Sequence, residues 1–180
     1  MNKLVWVMGE SATGKETFIK YAVANPYCDF IQKLGFTEKI ISVETSITHL
    51  NHSDERLKIE KLVLDLLDKE TSATILIKWQ WSDSIELRQS DVLLKLASIP
   101  NVSNEIIILS AEHDVLYDRL QNKFWWKDYG YSRELMETFI EKIRTHAQEL
   151  ILNFGFKMAG EIDVTNGYKL IGRSIFSSNI

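Results

Sequence analysis

This sequence predicts an α/β fold: a five-stranded parallel sheet wrapped by helices. Three observations support that expectation. Short apolar runs of strand length alternate with helical patterns along the chain, which implies right-handed βαβ crossovers and a parallel sheet. The run Ala73 to Ile77 is continuously apolar rather than alternating, as befits a strand covered on both faces. With 180 residues and 45% hydrophobic composition, the chain can bury a real core as one domain, 1–180.

The elements follow in order. Leu4 to Met8 is an apolar run and reads as a buried strand. It enters Gly9-Glu10-Ser11-Ala12-Thr13-Gly14-Lys15, after which a helical pattern, Thr17 to Ala24, begins. Asn25-Pro26 stops that helix, because proline disfavours helix in the residue before it. Tyr27 to Leu34 suits a short helix closed by Gly35. Lys39 to Glu44 reads as the second strand. Ser53 is a good N-cap, and Asp54-Glu55 suit the first turn of a helix to about Lys69.

Ala73 to Ile77 is the third strand, with Lys78-Trp79-Gln80-Trp81-Ser82 as its tip and loop. Asp83 to Glu86 resembles a capping box for a helix to about Ser98, closed off by Pro100. Glu105 to Leu109 is the fourth strand and Glu112 to Asn122 the next helix. Phe124 to Ser132 lacks helical period. Arg133 to about Asn153 is the longest helix, with Leu135, Met136, Phe139, Ile140, Ile143, Ala147, Leu150 and Ile151 on its buried stripe. Met158 to Val164 is a weaker fifth strand, and Tyr168 to Ile180 is ambiguous between helix and strand.

The strongest chemical signal is the first loop. Strand, GxxxxGK and helix together form the context of a phosphate-binding P-loop, the Walker A pattern. Glycines let the backbone turn tightly and present N–H groups to a polyphosphate. The helix N-terminus adds unpaired donors and partial positive charge. Lys15 supplies a full charge that can follow the β- and γ-phosphates. The candidate nucleotide-binding residues are Gly9, Glu10, Ser11, Ala12, Thr13, Gly14, Lys15, Glu16 and Thr17. Glu16, however, stands where Ser or Thr normally meets Mg²⁺. Ligands of parallel sheets bind beyond the strands' C-terminal ends, which also selects Glu44, Lys78 to Asp83, Ser110 and Asp163 to Asn166.

The chain resembles the P-loop nucleotide and small-molecule kinases, the group containing adenylate, shikimate, gluconate and nucleoside kinases. GESATGK carries the resemblance, with Leu116-Tyr117-Asp118-Arg119-Leu120 and the stretch Phe124 to Arg133. The resemblance covers most of the chain in element order, and its specific motifs are few. It implies a three-layer P-loop NTPase fold, with Arg119 near the ATP base or phosphates. A short LID over about 123–133 would bring Lys123, Lys127 and Arg133 to the nucleotide. Thr17 would meet the α-phosphate, and the cofactors would be ATP and Mg²⁺. Beside each role stands a plainer one: Arg119 as a surface cation near Asp118, Lys123 and Lys127 as solvated charges, Arg133 as a first-turn residue. A cation in the first turn opposes the helix dipole, which favours a further role for Arg133.

Phosphoryl transfer needs alignment, water exclusion and positive charge more than covalent help from the protein. In relatives a strand-three acid often helps hold the metal; here that tip is Lys78. Three readings of Glu16 are open: an ion pair with Lys78 beside the phosphate site, partly buried; a Mg²⁺ ligand, direct or through water; or a solvent-facing carboxylate, with Lys78 snorkelling out of the sheet. GESATGKE also resembles, locally, the P-loop of AAA+ activators of the alternative sigma factor, which hydrolyse ATP with a glutamate after the lysine.

Glu44 is placed to meet an acceptor or metal, or to be a loop-entry charge. Asp83 reads as an N-cap and Asp163 to Gly167 as a turn. Trp79, Trp81 and Phe124-Trp125-Trp126 could stack on a flat substrate or pack a lid. His49 and His52 lack a third metal ligand.

These readings expect an ATP-dependent kinase of a small molecule, with nucleosides and nucleotides among the candidate acceptors and Lys15, Arg119 and Glu44 as catalytic candidates. The alternative is a nucleotide-binding regulator or degenerate NTPase with no acceptor. Net charge of −4 argues against broad nucleic-acid binding. The lone Cys28 fits a reducing cytoplasm, no apolar stretch approaches a membrane span, and no leader pattern is present. Oligomeric state is not readable.

Overall fold

The computed structural model describes residues 1–43, 52–79, 90–123 and 130–173. The first strand, β1 (Asn2–Met8), is followed by α1 (Lys15–Ala24), α2 (Asp29–Lys33) and β2 (Ile40–Val43). Then come α3 (His52–Lys69), β3 (Thr74–Lys78), α4 (Ser90–Ala97) and β4 (Val102–Ser110). The chain continues with α5 (His113–Gln121), α6 (Arg133–Phe154), β5 (Lys157–Asp163) and β6 (Lys169–Gly172).

The sheet order is β2-β3-β1-β4-β5-β6. The first five strands pair in parallel, and β6 returns antiparallel on β5. The expected five-stranded parallel sheet is therefore present with a sixth strand at its edge. That strand occupies the stretch left ambiguous between helix and strand, whose short alternation of half-buried and exposed residues suits an edge.

β1 is central, and its burial reflects this: Leu4, Val5, Trp6 and Val7 have no accessible surface. Helices cover both faces, giving three layers. On one face α3, α4 and α6 pack through Ile59, Val63, Leu93, Ile143 and Ala147 onto Leu4, Trp6 and Ile75. On the other, α1 and α2 pack through Phe18, Ile19 and Ile31 onto Val5, Val7 and Leu76. The period-two alternation of β1 thus feeds two cores. A smaller cluster, Leu116, Leu120 and Met136, joins α5 to α6.

The strand ends are tied by side chains. Asn2 accepts from Ala73 N at 2.9 Å and reaches Glu70 O, fixing the entry to β3. The Thr37 and Thr74 hydroxyls meet at 2.9 Å between β2 and β3. Ser132 caps α6 by accepting from Leu135 N, and Gly155 ends it in the left-handed region. Among the described residues no helix is long and apolar enough to cross a membrane.

Candidate functional site

The C-terminal ends of β1, β3, β4 and β5 converge on one edge of the sheet. Lys78 lies opposite Val7 in the β1–β3 register, and Ser110 lies opposite Asp163 in the β4–β5 register. The loop 9–14 leaves β1 at the centre of this edge.

The loop is built around one carbonyl. Glu10 O accepts from Thr13 N (3.3 Å), Thr13 Oγ1 (2.7 Å) and Lys15 Nζ (3.0 Å), while Lys15 Nζ also donates to Gly9 O (2.7 Å). Gly9 has φ +149, and a Cβ there would sit 2.7 Å from Leu109 O, so only glycine lets β1 turn against β4. Gly14 (φ +79) places the N-terminus of α1, and the first intrahelical bond there is Phe18 N to Gly14 O (2.9 Å). The N–H groups of Lys15, Glu16 and Thr17 therefore precede the helix's own bonding and are available to an anion. Ala12 adopts φ +64, a left-handed conformation that L-residues rarely take. It packs against the α5–α6 cluster.

Lys15 is 7% exposed. Burial pushes its ammonium down to about 8; the Glu10 carboxylate opposes this, and repulsion from Lys78 and Lys123 adds to it. Lys123, for which both a LID role and a solvated charge are open in the sequence, acts electrostatically on both Lys15 and Glu16.

The Glu10 side chain is buried too. Its Oε1 accepts from Ser11 N at 2.6 Å, and Tyr131, two residues before α6, acts electrostatically on the same carboxylate. Burial holds the Glu10 carboxyl above the usual carboxylate range despite both influences. Nothing in the sequence pattern pointed to Tyr131, because its partner is more than a hundred positions away.

Glu16 and Lys78 do meet: Lys78 Nζ lies 3.9 Å from Glu16 Oε2. The expectation of a partly buried pair needs correction, however, because Glu16 is 63% exposed and Lys78 22%. The nearer partner of Glu16 is Lys20, one helical turn on, at 2.6 Å. The hydrogen bond from Lys20, its charge and that of Lys78 hold the Glu16 carboxyl low. Thr17 is exposed beside it on the first turn of α1.

Arg119 is not a free surface cation. Its Nη2 donates to Val164 O (2.9 Å) and Thr165 O (3.0 Å), strapping α5 to the loop after β5. That loop is further set by Thr165 N on Asp163 Oδ1 (2.9 Å), Glu112 N on Thr165 Oγ1 (2.9 Å) and Val164 N on Ser110 O (2.8 Å). The Thr165 hydrogen bond, with Lys169 and Arg119 nearby, holds the Asp163 carboxyl low. Tyr168 anchors the loop's far end among Phe18, Tyr21 and Phe30.

Arg133 is tied to Asp114 (2.6 Å) and Glu137 (3.3 Å). Those two acids answer the unfavourable dipole position that suggested a role for it. Trp79 does not offer a stacking face. It is 4% exposed and packs edge-on against Trp6 in the core, with ring centres 5.4 Å apart. Glu44, His49, Trp81, Asp83, Phe124-Trp125-Trp126 and Lys127 lie outside the described residues.

A cavity of about 320 Å³ opens between β4–β5 and α5–α6, reaching Gly9, Glu10 and Thr13 from behind the loop. Its polar wall carries Arg144 paired to Glu161, with Nη1 3.3 Å from Oε2.

No protein-family model and no curated protein sequence matches the chain. Solved structures with some likeness include deoxyadenosine kinase from M. mycoides with bound dATP (13% identity, 89% of this chain and 90% of that one, TM-score 0.45). The same enzyme with products dCMP and dCDP gives 13% identity, coverage of 86% and 88%, and TM-score 0.43. A sugar kinase from Janibacter sp. HTCC2649 gives 15% identity, coverage of 91% and 86%, and TM-score 0.44. Likenesses this distant carry no weight for substrate or chemistry.

Proposed function

We propose that this chain binds ATP through residues 9–17 and transfers a phosphoryl group to a small-molecule acceptor, a nucleoside or nucleotide being the favoured class. The observation that supports it best is the loop itself. A glycine-bracketed turn leaves the central strand and delivers a buried lysine to the N-terminus of α1, with the tips of β3, β4 and β5 alongside.

In this reading the N–H groups of Gly14 to Thr17 take the phosphate oxygens. Lys15 leaves the carbonyls of Gly9 and Glu10 to follow the β- and γ-phosphates. Its charge is already opposed by burial and by two other lysines, so an arriving polyphosphate relieves that repulsion and favours the protonated form. Lys78 and Lys123 add charge around the transferring group, where fixed positive charge stabilises the transition state. Arg119 acts on the base side by holding the 164–165 backbone, where a purine edge could be read. Lys127 would approach from the LID, with Arg133 held at its base by Asp114 and Glu137, and Glu44, the next residue in sequence after β2, would receive the acceptor's proton.

Isothermal titration with ATP tests the binding half. Lys15→Ala should lose most of the affinity, and unchanged affinity would refute the phosphate loop. The transfer half is tested by following ADP formation over a panel of nucleosides, nucleotides and sugars. Saturable turnover with one acceptor supports the kinase. A second reading, a nucleotide-binding regulator, is favoured by the charge reversal at Glu16 and Lys78. ATP binding without turnover on any acceptor would support it.

A further inference from the structure

In P-loop NTPases that use Mg²⁺, the ion is held by the hydroxyl after the loop lysine and by an acid at a neighbouring strand tip. The residues here do not fit it. The position after Lys15 is Glu16, whose carboxylate is already bonded to Lys20 and faces Lys78. The strand-tip position is itself an ammonium, which cannot ligate a metal. Among the described residues no group of three His, Cys, Asp or Glu side chains stands close enough to hold a metal ion.

We propose that the ammonium of Lys78, steered by Glu16, is the resident cation of this site, and that the loop takes its polyphosphate without a divalent ion. The inference rests on the phosphate-binding reading above and specifies the ligand species: metal-free nucleoside triphosphate, the more anionic form.

Three features support it. Lys78 ends β3 directly beside Val7, two residues before Gly9, and the main chain there is locked by Trp79 N on Val7 O (2.9 Å). The base of the side chain is therefore fixed by the sheet, and Trp79 is buried in the core just beyond it. The Lys78 tip lies 3.9 Å from Glu16 Oε2, so it sits beside the residue that would otherwise contact the metal. Its charge also acts on the buried Lys15. Glu16 then has a purpose that a metal ligand would not explain. Exposed on the first turn of α1 and shared between Lys20 and Lys78, it holds two cations at the rim without neutralising the buried Lys15. A divalent ion arriving with the phosphates would meet Lys78 at close range and be repelled.

The experiment is calorimetric titration of ATP into the wild-type chain in EDTA and in excess Mg²⁺. The expected result is comparable affinity in both, or tighter binding in EDTA. Lys78→Met should weaken metal-free binding about 10- to 100-fold, the range of one charged hydrogen bond, and Lys78→Arg should retain most of it. The double variant Glu16→Thr with Lys78→Asp rebuilds the hydroxyl and acid, and should convert the protein to one that prefers ATP with Mg²⁺.

Wild-type binding that needs Mg²⁺, or Lys78→Met binding unchanged in EDTA, overturns the inference. In either case a loss of binding in Lys15→Ala leaves the phosphate loop standing, whereas unchanged binding in Lys15→Ala removes both. Thermal melts of each variant establish that folding is intact, and the wild-type comparison depends on no variant.

Discussion

Lys15 should write its burial into the pH dependence of stability. An ordinary lysine titrates at 10.5, and burial pushes this one down to about 8 in the ligand-free fold. Between those values the unfolded chain holds a proton that the native one has released, so stability rises with pH through the window and is flat below it. The full gap corresponds to about 3 kcal/mol, and from pH 7 to about pH 9.5 roughly 2 kcal/mol of it is recovered. Other ionisable groups contribute to any pH profile of stability, so the measurement is a difference. Urea unfolding is followed at both pH values for the wild type and for Lys15→Met, and the wild type should gain about 2 kcal/mol more than the variant. Equal gains would refute the claim that Lys15 is electrostatically strained. A bound polyphosphate should return the proton, so ATP binding at about pH 9 should take up protons. Titrations in buffers of different ionisation enthalpy detect this uptake.

Three further outcomes follow from packing. Gly9→Ala would put a Cβ 2.7 Å from Leu109 O and 2.8 Å from Thr13 Oγ1 at φ +149; we expect a loss of about 2–4 kcal/mol and a distorted loop, read by thermal melt and ATP titration. Arg144→Met leaves Glu161, 6% exposed, without its guanidinium; about 3 kcal/mol should be lost near neutral pH and largely restored by adding Glu161→Gln, checked by urea unfolding of both. Tyr168→Ala removes the ring held by Phe18, Tyr21 and Phe30; hydrogen exchange at 164–167 should speed up, with a stability loss of about 2–3 kcal/mol.

What the sequence made legible was local. The glycines around 9–15 announce their turn because no other residue takes those angles without strain, and the apolar runs of β1 and β3 announce burial because both faces are covered. Asn25-Pro26 and Gly35 end helices by backbone geometry alone. The site's second layer was hidden because it depends on distance in sequence. Glu10 reads as one residue of the phosphate loop until the fold buries its side chain, and Arg119 reads as either a nucleotide contact or a surface cation until β5 brings the carbonyls of Val164 and Thr165 to it. Trp79 reads as either a stacking face or lid packing because its neighbours in sequence are polar, whereas in the fold its neighbour is Trp6. The sixth strand was hidden because an edge strand of four residues carries little periodic signal.

The loop's shape is consequently not a property of its seven residues. Ala12 holds φ +64 with Leu116, Leu120 and Met136 packed against it, and the buried Glu10 carboxylate accepts from Ser11 N with Tyr131 as its electrostatic neighbour. The contacts of Ala12 come from α5 and α6, and Tyr131 stands two residues before α6. A shift of α5 against α6 would therefore act on the loop directly, through Ala12 and the Glu10 carboxylate. Arg119, on the same α5, would carry that shift to the loop after β5. In this fold the phosphate loop, the segment after β5 and the α5–α6 pair form one contiguous set of contacts, so a substitution such as Tyr131→Phe should alter ATP affinity without touching the nucleotide. Removing a polar neighbour from a buried carboxyl corresponds to about 1–3 kcal/mol. That loss, read as a matching fall in affinity at unchanged thermal stability, would show that the contact shapes the loop; a fall in stability with affinity intact would assign it to folding alone.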